Sequence, residues 1–253
     1  MNAYPFVNEV EGTEDKYFYF QSFLKLIVYG YYQLRNSGEP YSRSYIHKQA
    51  KAKSNNPDAK NPIEDYLRND LVSKYLNPNR HKFYLHNFLF VSGMEEYSGN
   101  ILTGRLDIAV ISPFLTADNI YFVFECKRLN KYEDSQNNYI KKGMERFTSR
   151  QYYSETEVNI AGMIAFVEID AEKQKGGVVP VGRIAVQLKK KIDSFKDLLK
   201  TTQTLQAYKL EDQRYKEISD FKQSYLSKHI RSADKVEISI HHLLLDYYDI
   251  LIS

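Results

Sequence analysis

Residues 104–128 read GRLDIAVISPFLTADNIYFVFECKR, and they constrain the fold more than any other stretch. The pattern predicts two neighbouring β-strands, 105–111 and 119–127, joined by a turn. The first carries a single acid, Asp107, among apolar residues. The second is apolar until it ends in Glu125-Cys126-Lys127. Strand side chains alternate between faces, so Glu125 and Lys127 share a face with Val123, while Cys126 points the other way with Phe122 and Phe124. A carboxylate and an ammonium at the end of a buried strand are costly to desolvate, and folding alone gives little reason to put them there. One chemistry does. Carboxylates on adjacent strands can hold a hard cation such as Mg²⁺, which takes oxygen ligands and keeps several waters. A lysine on the same edge can orient a water and steady the charge on a phosphate. Metal-assisted hydrolysis of a phosphodiester uses these parts. The competing reading is an ion pair at a sheet edge, Glu125 or Asp107 with Lys127 or Arg105.

Composition excludes several classes. The chain has 253 residues, 43% of them hydrophobic, enough for one sizeable domain. A formal net charge of +3 is too small for a generally basic binder, so nucleic-acid contacts have to come from local patches. No run of apolar residues is long enough for a membrane span. The opening MNAYPFVNEVEGTEDK has no basic segment followed by an apolar core, so the expectation is a cytoplasmic protein without a secretory leader. The single cysteine, Cys126, rules out an intrachain disulfide and a multi-cysteine metal site. As a nucleophile it is a poor candidate, because alternation turns it away from the charged face.

The first predicted helix covers 11–35, where Tyr17, Phe20, Leu24, Ile27 and Tyr31 recur at helical spacing. The polar stretch 39–60 holds Lys48, Lys51, Lys53 and Lys60, a solvated loop or a set of phosphate contacts. Asn61-Pro62-Ile63-Glu64 is a helix start, with Asn61 at the cap and Glu64 at the capping-box position. That helix runs to about Leu76 and ends at Asn77-Pro78-Asn79. Residues 82–92 predict the first core strand, and 93–99 an acidic turn. After the two central strands comes a helix over 135–153, with Ile140, Met144, Phe147 and Gln151 on one side and Lys142, Arg146 and Arg150 as a basic stripe. Gly143 fits a close backbone approach. Residues 157–169, EVNIAGMIAFVEI, predict a strand buried on both faces in parallel pairing. An amphipathic helix follows over 180–199. Beyond it, 203–210 and 236–240 predict strands and 211–225 a helix. His229, His241 and His242 lack the spacing of a zinc motif and read as satisfied histidines.

Asp107, an interval, then Glu125-x-Lys127 resembles the PD-(D/E)XK nuclease superfamily, with Leu106 where the family name puts proline. The resemblance covers roughly residues 61–170. It implies an α/β fold with a restriction-endonuclease-like core, an α-β-β-β-α-β mixed sheet flanked by helices, within a domain over 61–253. Residues 1–60 are then an N-terminal helical extension and 171–253 a C-terminal addition. It also implies hydrolysis of nucleic acid, DNA ahead of RNA, with Mg²⁺ or Mn²⁺, in restriction, anti-phage defence or repair. Asp107 and Glu125 would hold the metal, joined by Glu64 from the preceding helix and the backbone carbonyl of Cys126. Lys127 would position the attacking water. Lys142, Arg146 and Arg150 would lie next to the nucleic acid, unless that stripe is merely a solvated face. For Glu64 the capping role stays open beside the metal role. A homodimer or a partner protein is compatible with this reading. So is its rival, an inactive copy of the fold that binds nucleic acid or a partner protein.

Overall fold

A computed structural model describes residues 13–53, 62–98, 101–112, 121–153, 158–169 and 178–252. The N-terminal part forms α1 (Thr13–Ser37), β1 (Tyr41–Ser42), α2 (Arg43–Lys53) and α3 (Pro62–Asp70). A π-helical turn (Leu71–Leu76), α4 (Asn77–Asn79) and a 3-10 turn (Arg80–Phe83) prolong α3. Next come β2 (Leu89–Ser98), β3 (Ile101–Ile111) and β4 (Tyr121–Leu129). Then α5 (Glu133–Tyr139), a second π turn (Ile140–Met144) and α6 (Glu145–Thr148) lead to β5 (Ile160–Val167). The C-terminal part holds α7 (Val181–Ser194), α8 (Lys196–Leu199), β6 (Thr201–Ala207), α9 (Lys216–Asp220), β7 (Ser224–Ile230), β8 (Glu237–Asp246) and β9 (Leu251–Ile252).

The main sheet has seven strands in the order β2-β3-β4-β5-β8-β7-β6, and β1 pairs with β9 apart from it. β4, β5 and β8 run parallel, and the strands outside them pair antiparallel. The middle strand is β5, buried at every residue, as a near-continuous apolar run requires. Leu129, Val167 and Asp246 lie in register, so β4, β5 and β8 end at a common edge. In open α/β sheets, ligands bind outside the carboxyl ends of such strands.

Helix α1 covers one face. Phe20 stacks on Phe124 at 5.1 Å and Phe23 meets Phe122 at 5.3 Å. Gly162, beside Phe124 in the parallel ladder, makes room for that ring: a Cβ there would stand 2.0 Å from it. The other face carries α5 to α8, and Tyr139 of α5 bonds His242 of β8 at 2.9 Å. One hydrophobic cluster runs from Phe20 to Leu251, so α1 belongs to the same core as the sheet and is not a peripheral extension. Among the described residues no helix is long and apolar enough to cross a membrane.

Several expected boundaries move. Asn77-Pro78-Asn79 does not end the helix: the chain stays helical to Phe83, and Asn77 turns its amide onto Phe90 of β2. The first core strand is therefore Leu89–Ser98, and Gly93 lies inside it instead of opening a turn. Its positive φ of 70° bends the strand where the Arg105 side chain crosses it. The helix expected over 211–225 shrinks to α9, and YLSKHIR becomes strand β7. Asn61, the expected cap, lies outside the described residues.

His229, His241 and His242 sit in strands and are fully buried. His242 Nε2 and His229 Nε2 each lie 2.8 Å from Ser227 Oγ, and Thr201 meets His229 Nδ1 at 3.1 Å. His241 is different. It faces α1 among Phe20, Tyr17 and Tyr208, and among the described residues neither ring nitrogen has a hydrogen-bond partner. Burial pushes it down from 6.5 to about 3. It stays neutral in the fold, so between these values only the unfolded chain takes up its proton, and stability falls as pH falls. Replacing His241 by Phe should raise stability by about 1 kcal/mol or more at pH 7.5, because it removes buried polar atoms without partners. The gap between the variant and wild type should widen by about 2 kcal/mol at pH 5. Urea denaturation at the two pH values reads both effects, and a gap that does not widen would show His241 already protonated or solvated in the fold.

Candidate functional site

The antiparallel ladder between β3 and β4 runs from Ile111–Tyr121 to Ile108–Phe124. Beyond it the Asp107 carboxylate accepts the N–H of Cys126 at 2.9 Å. Alternation puts Asp107, Glu125 and Lys127 on the α5–α6 face, as their pattern predicts. From α3 come Glu64 and Arg68, four positions apart and on one side of the helix. Glu64 reaches the end of β4: one carboxylate oxygen accepts the N–H of Arg128 at 3.0 Å and the other lies 3.4 Å from Lys127 Nζ. Glu64 is thus buried and turned inward at the sheet.

Lys127 Nζ stands where these groups converge. It is 2.5 Å from Glu125 Oε1, 2.7 Å from the Cys126 carbonyl, and 3.4 Å from both Asp107 Oδ2 and Glu64 Oε1. A second ring of groups steadies the acids. Arg68 donates to Asp107 Oδ1 at 2.8 Å and is almost fully buried. Arg146 donates to Glu125 Oε1 at 2.8 Å, and the Tyr152 hydroxyl donates to Glu125 Oε2 at 2.7 Å. The ion pair expected at the sheet edge is therefore present, with three acids gathered around one lysine. The Arg105 guanidinium donates instead to the Gly93 carbonyl, and it is the Arg105 carbonyl that touches this group, 3.1 Å from the Tyr152 hydroxyl.

The acids titrate differently. Burial pushes Glu125 up to about 7, helped by the charge of Asp107 and opposed by Lys127 and Arg146. Burial also raises Glu64, against the pull of Lys127. Asp107 is just as enclosed, yet Lys127, Arg68 and the Cys126 N–H outweigh desolvation and hold it below its ordinary value. Burial alone would lower Lys127, but Glu125, Asp107 and Glu64 hold it well above the usual lysine range. The buried Cys126 thiol is pushed up, as expected for an unreactive cysteine.

Could these residues hold a metal? All the converging donors are oxygens, from three carboxylates and one carbonyl, which is the set a hard cation takes. Among the described residues no three His, Cys, Asp or Glu side chains stand as a ready chelate. The point of convergence belongs to the lysine ammonium. The donor chemistry fits Mg²⁺ or Mn²⁺, with Lys127 turned aside.

The basic stripe does not form as expected. The π turn Ile140–Met144 is wider than an α turn and shifts the residues after it around the helix axis. Lys142 is exposed, but Arg146 is turned in to Glu125. Arg150 lies past the helix end at φ 64°, held by the Tyr153 carbonyl and by Asp234 at 3.4 Å. Gly143 has the close approach its sequence context suggests: a Cβ would lie 2.6 Å from Met163 and 3.6 Å from Lys127. Arg68 and Tyr152 are missing from the residues expected by sequence. Arg68 could have been found, because its i,i+4 spacing from Glu64 turns both inward. Tyr152 could not, since it reaches the site through an irregular turn with positive φ at Arg150 and Tyr153.

Set against known protein families, curated proteins and solved structures, the chain matches none.

Removing one partner of a buried ion pair leaves the other charge uncompensated. Arg68→Met should therefore destabilise the fold by about 3 kcal/mol or more. Adding Asp107→Asn should recover part of that loss. Chemical denaturation of the two single variants and the double variant tests the coupling, and purely additive losses would mean that Arg68 acts by packing alone.

Proposed function

We propose that this chain is a metal-dependent nuclease that hydrolyses phosphodiester bonds in DNA on a restriction-endonuclease-like core. The observation that carries the reading is the convergence of Asp107, Glu125, Glu64 and the Cys126 carbonyl on Lys127, at the edge where β4, β5 and β8 end. The order α3, β2, β3, β4, α5–α6, β5 supports it, being the α-β-β-β-α-β order of the family that the Asp107 and Glu125-x-Lys127 motif resembles. Restriction, anti-phage defence and repair are the roles this chemistry serves.

In this reading Asp107, Glu125, Glu64 and the Cys126 carbonyl would hold Mg²⁺ or Mn²⁺. When bound, the ion supplies Lewis-acid polarisation of the phosphoryl group and lowers the pKa of a water. The chain's own residues do the rest. Arg68 fixes the rotamer of Asp107, while Arg146 and Tyr152 fix that of Glu125. Lys127, released from the acids, would stabilise the developing oxyanion of the attacked phosphate with its charge and orient the water with its N–H groups. Lys142, exposed on the second π turn, is the member of the basic stripe open to a phosphate contact.

One observation favours a second reading, a non-cleaving module that binds nucleic acid or a partner protein. Glu64, Asp107 and Glu125 already have ion-pair partners in Lys127, Arg68 and Arg146, with Arg68 shared with the more exposed Asp65, so each buried acid is paired without a metal.

The two readings separate in a paired measurement. Asp107→Asn and Lys127→Met should each lower cleavage of plasmid DNA by at least about a hundredfold. Calorimetry with Mn²⁺ should then split them. Asp107→Asn should weaken metal binding, whereas Lys127→Met should tighten it, because the ammonium that competes for the same oxygens is gone. DNA binding without metal-dependent cutting by the wild type, together with no Mn²⁺ binding by Lys127→Met, would favour the non-cleaving module.

A further inference from the structure

We propose that Arg128 and Arg43, held on Glu168, form a second anion subsite that takes a phosphodiester group beside the candidate reaction centre. The proposal rests on the nucleic-acid reading above and adds a site to it. Glu168 follows the last residue of β5 and its side chain is buried. One oxygen is 2.5 Å from Arg128 Nε and the other 2.9 Å from Arg43 Nη2, which also donates to the Ile169 carbonyl at 2.8 Å. Two guanidiniums share one carboxylate, so the group carries a surplus positive charge. The neighbouring cluster around Lys127 has no such surplus.

The donors left over point to a ligand. Arg43 is nine-tenths buried, and among the described residues its Nη1 has no hydrogen-bond partner, while Glu168 Oε2 meets Arg43 as an ion pair without a hydrogen bond. A buried charged donor without a partner is more destabilising than a neutral one. Arg128 uses Nε on Glu168, and among the described residues neither Nη nitrogen has a partner. Its side chain is 32% exposed. Anchoring at Nε leaves the two-pronged edge of the guanidinium free, and that edge matches a phosphate.

Position links this group to the first. Glu64 accepts the N–H of Arg128 with one oxygen and approaches Lys127 with the other. Alternation turns the Arg128 side chain to the face opposite Lys127. A polynucleotide backbone passing the carboxyl end of β4 therefore meets Lys127 on one side of the strand and Arg128 on the other. A sugar-phosphate backbone supplies successive anions to both, whereas an isolated anion reaches only one.

The test uses the full chain with chelator present, so that binding is read without cleavage. A short DNA duplex and one of its single strands are titrated across a salt series. Arg128→Gln should weaken duplex binding about tenfold at low salt and flatten the log–log salt slope by about 0.9. Arg128→Lys should restore most of the slope and only part of the affinity, because it keeps the charge and loses the fork. The unfolding midpoint of Arg128→Gln should fall, because buried Glu168 loses one of its two cationic partners, whereas that of Arg128→Lys should stay nearer the wild-type value. An unchanged slope in Arg128→Gln, with or without a lowered midpoint, would make the group a structural clasp between α2 and the sheet and overturn the subsite while leaving the nuclease reading intact. Failure of the wild type to bind either DNA would overturn both.

Discussion

Glu125 has no exposed surface, yet it carries a carboxylate at the end of a central strand. That single burial organises the surrounding structure. An isolated charge there would cost far more than the fold can spare, so the carboxylate has to be neutralised or surrounded by donors. Lys127, Arg146 and Tyr152 do this from three directions. Each partner imposes a demand of its own. Lys127 has to share a face with Glu125, which strand alternation supplies. Arg146 has to turn inward, which the π turn before α6 supplies. Tyr152 has to come back to the sheet from beyond that helix, through two residues at positive φ.

The same reasoning explains the seam between β3 and β4. Regular pairing is present from Ile108 outward, and the Cys126 N–H takes a carboxylate oxygen from Asp107 in its place. The side chain does the work of a strand, and the strands can part at that point. Antiparallel pairing on one side and parallel pairing on the other then leave β4 with its carboxyl end at the common edge with β5 and β8. Helix α3 closes this edge with Glu64 and Arg68, and α2 adds Arg43. The candidate centre and the second arginine group thus occupy two sides of one strand end.

The central part of this arrangement was legible in the amino-acid sequence because it depends on period and position. Asp107, Glu125 and Lys127 follow strand alternation, and the inward turn of Glu64 follows from its place beside the stripe of Leu67 and Leu71. β5 was legible as an unbroken apolar run. Other parts depend on tertiary context. Asn77-Pro78-Asn79 carries every local sign of a stop, but Asn77 spends its amide on the β2 backbone and the helical path continues. Gly93 has the composition of a turn and the structure of a strand kink. Arg146 has the spacing of a solvent-facing stripe, and no local pattern announces the extra residue that turns it inward. His241 and His242 are adjacent in sequence and alternate across β8, one onto α1 and the other into a hydrogen-bonded chain.

Glu64 and Lys127 meet across 63 positions of chain, and Glu64 stands on a helix that packs against β4. Closing such a loop costs entropy before any ionic contact repays it, so apolar packing of α1 and α3 against the strands has to come first. The charged centre is then a late product of folding. Partly folded chains have the individual acids and bases but not their convergence, which belongs to the completed core alone.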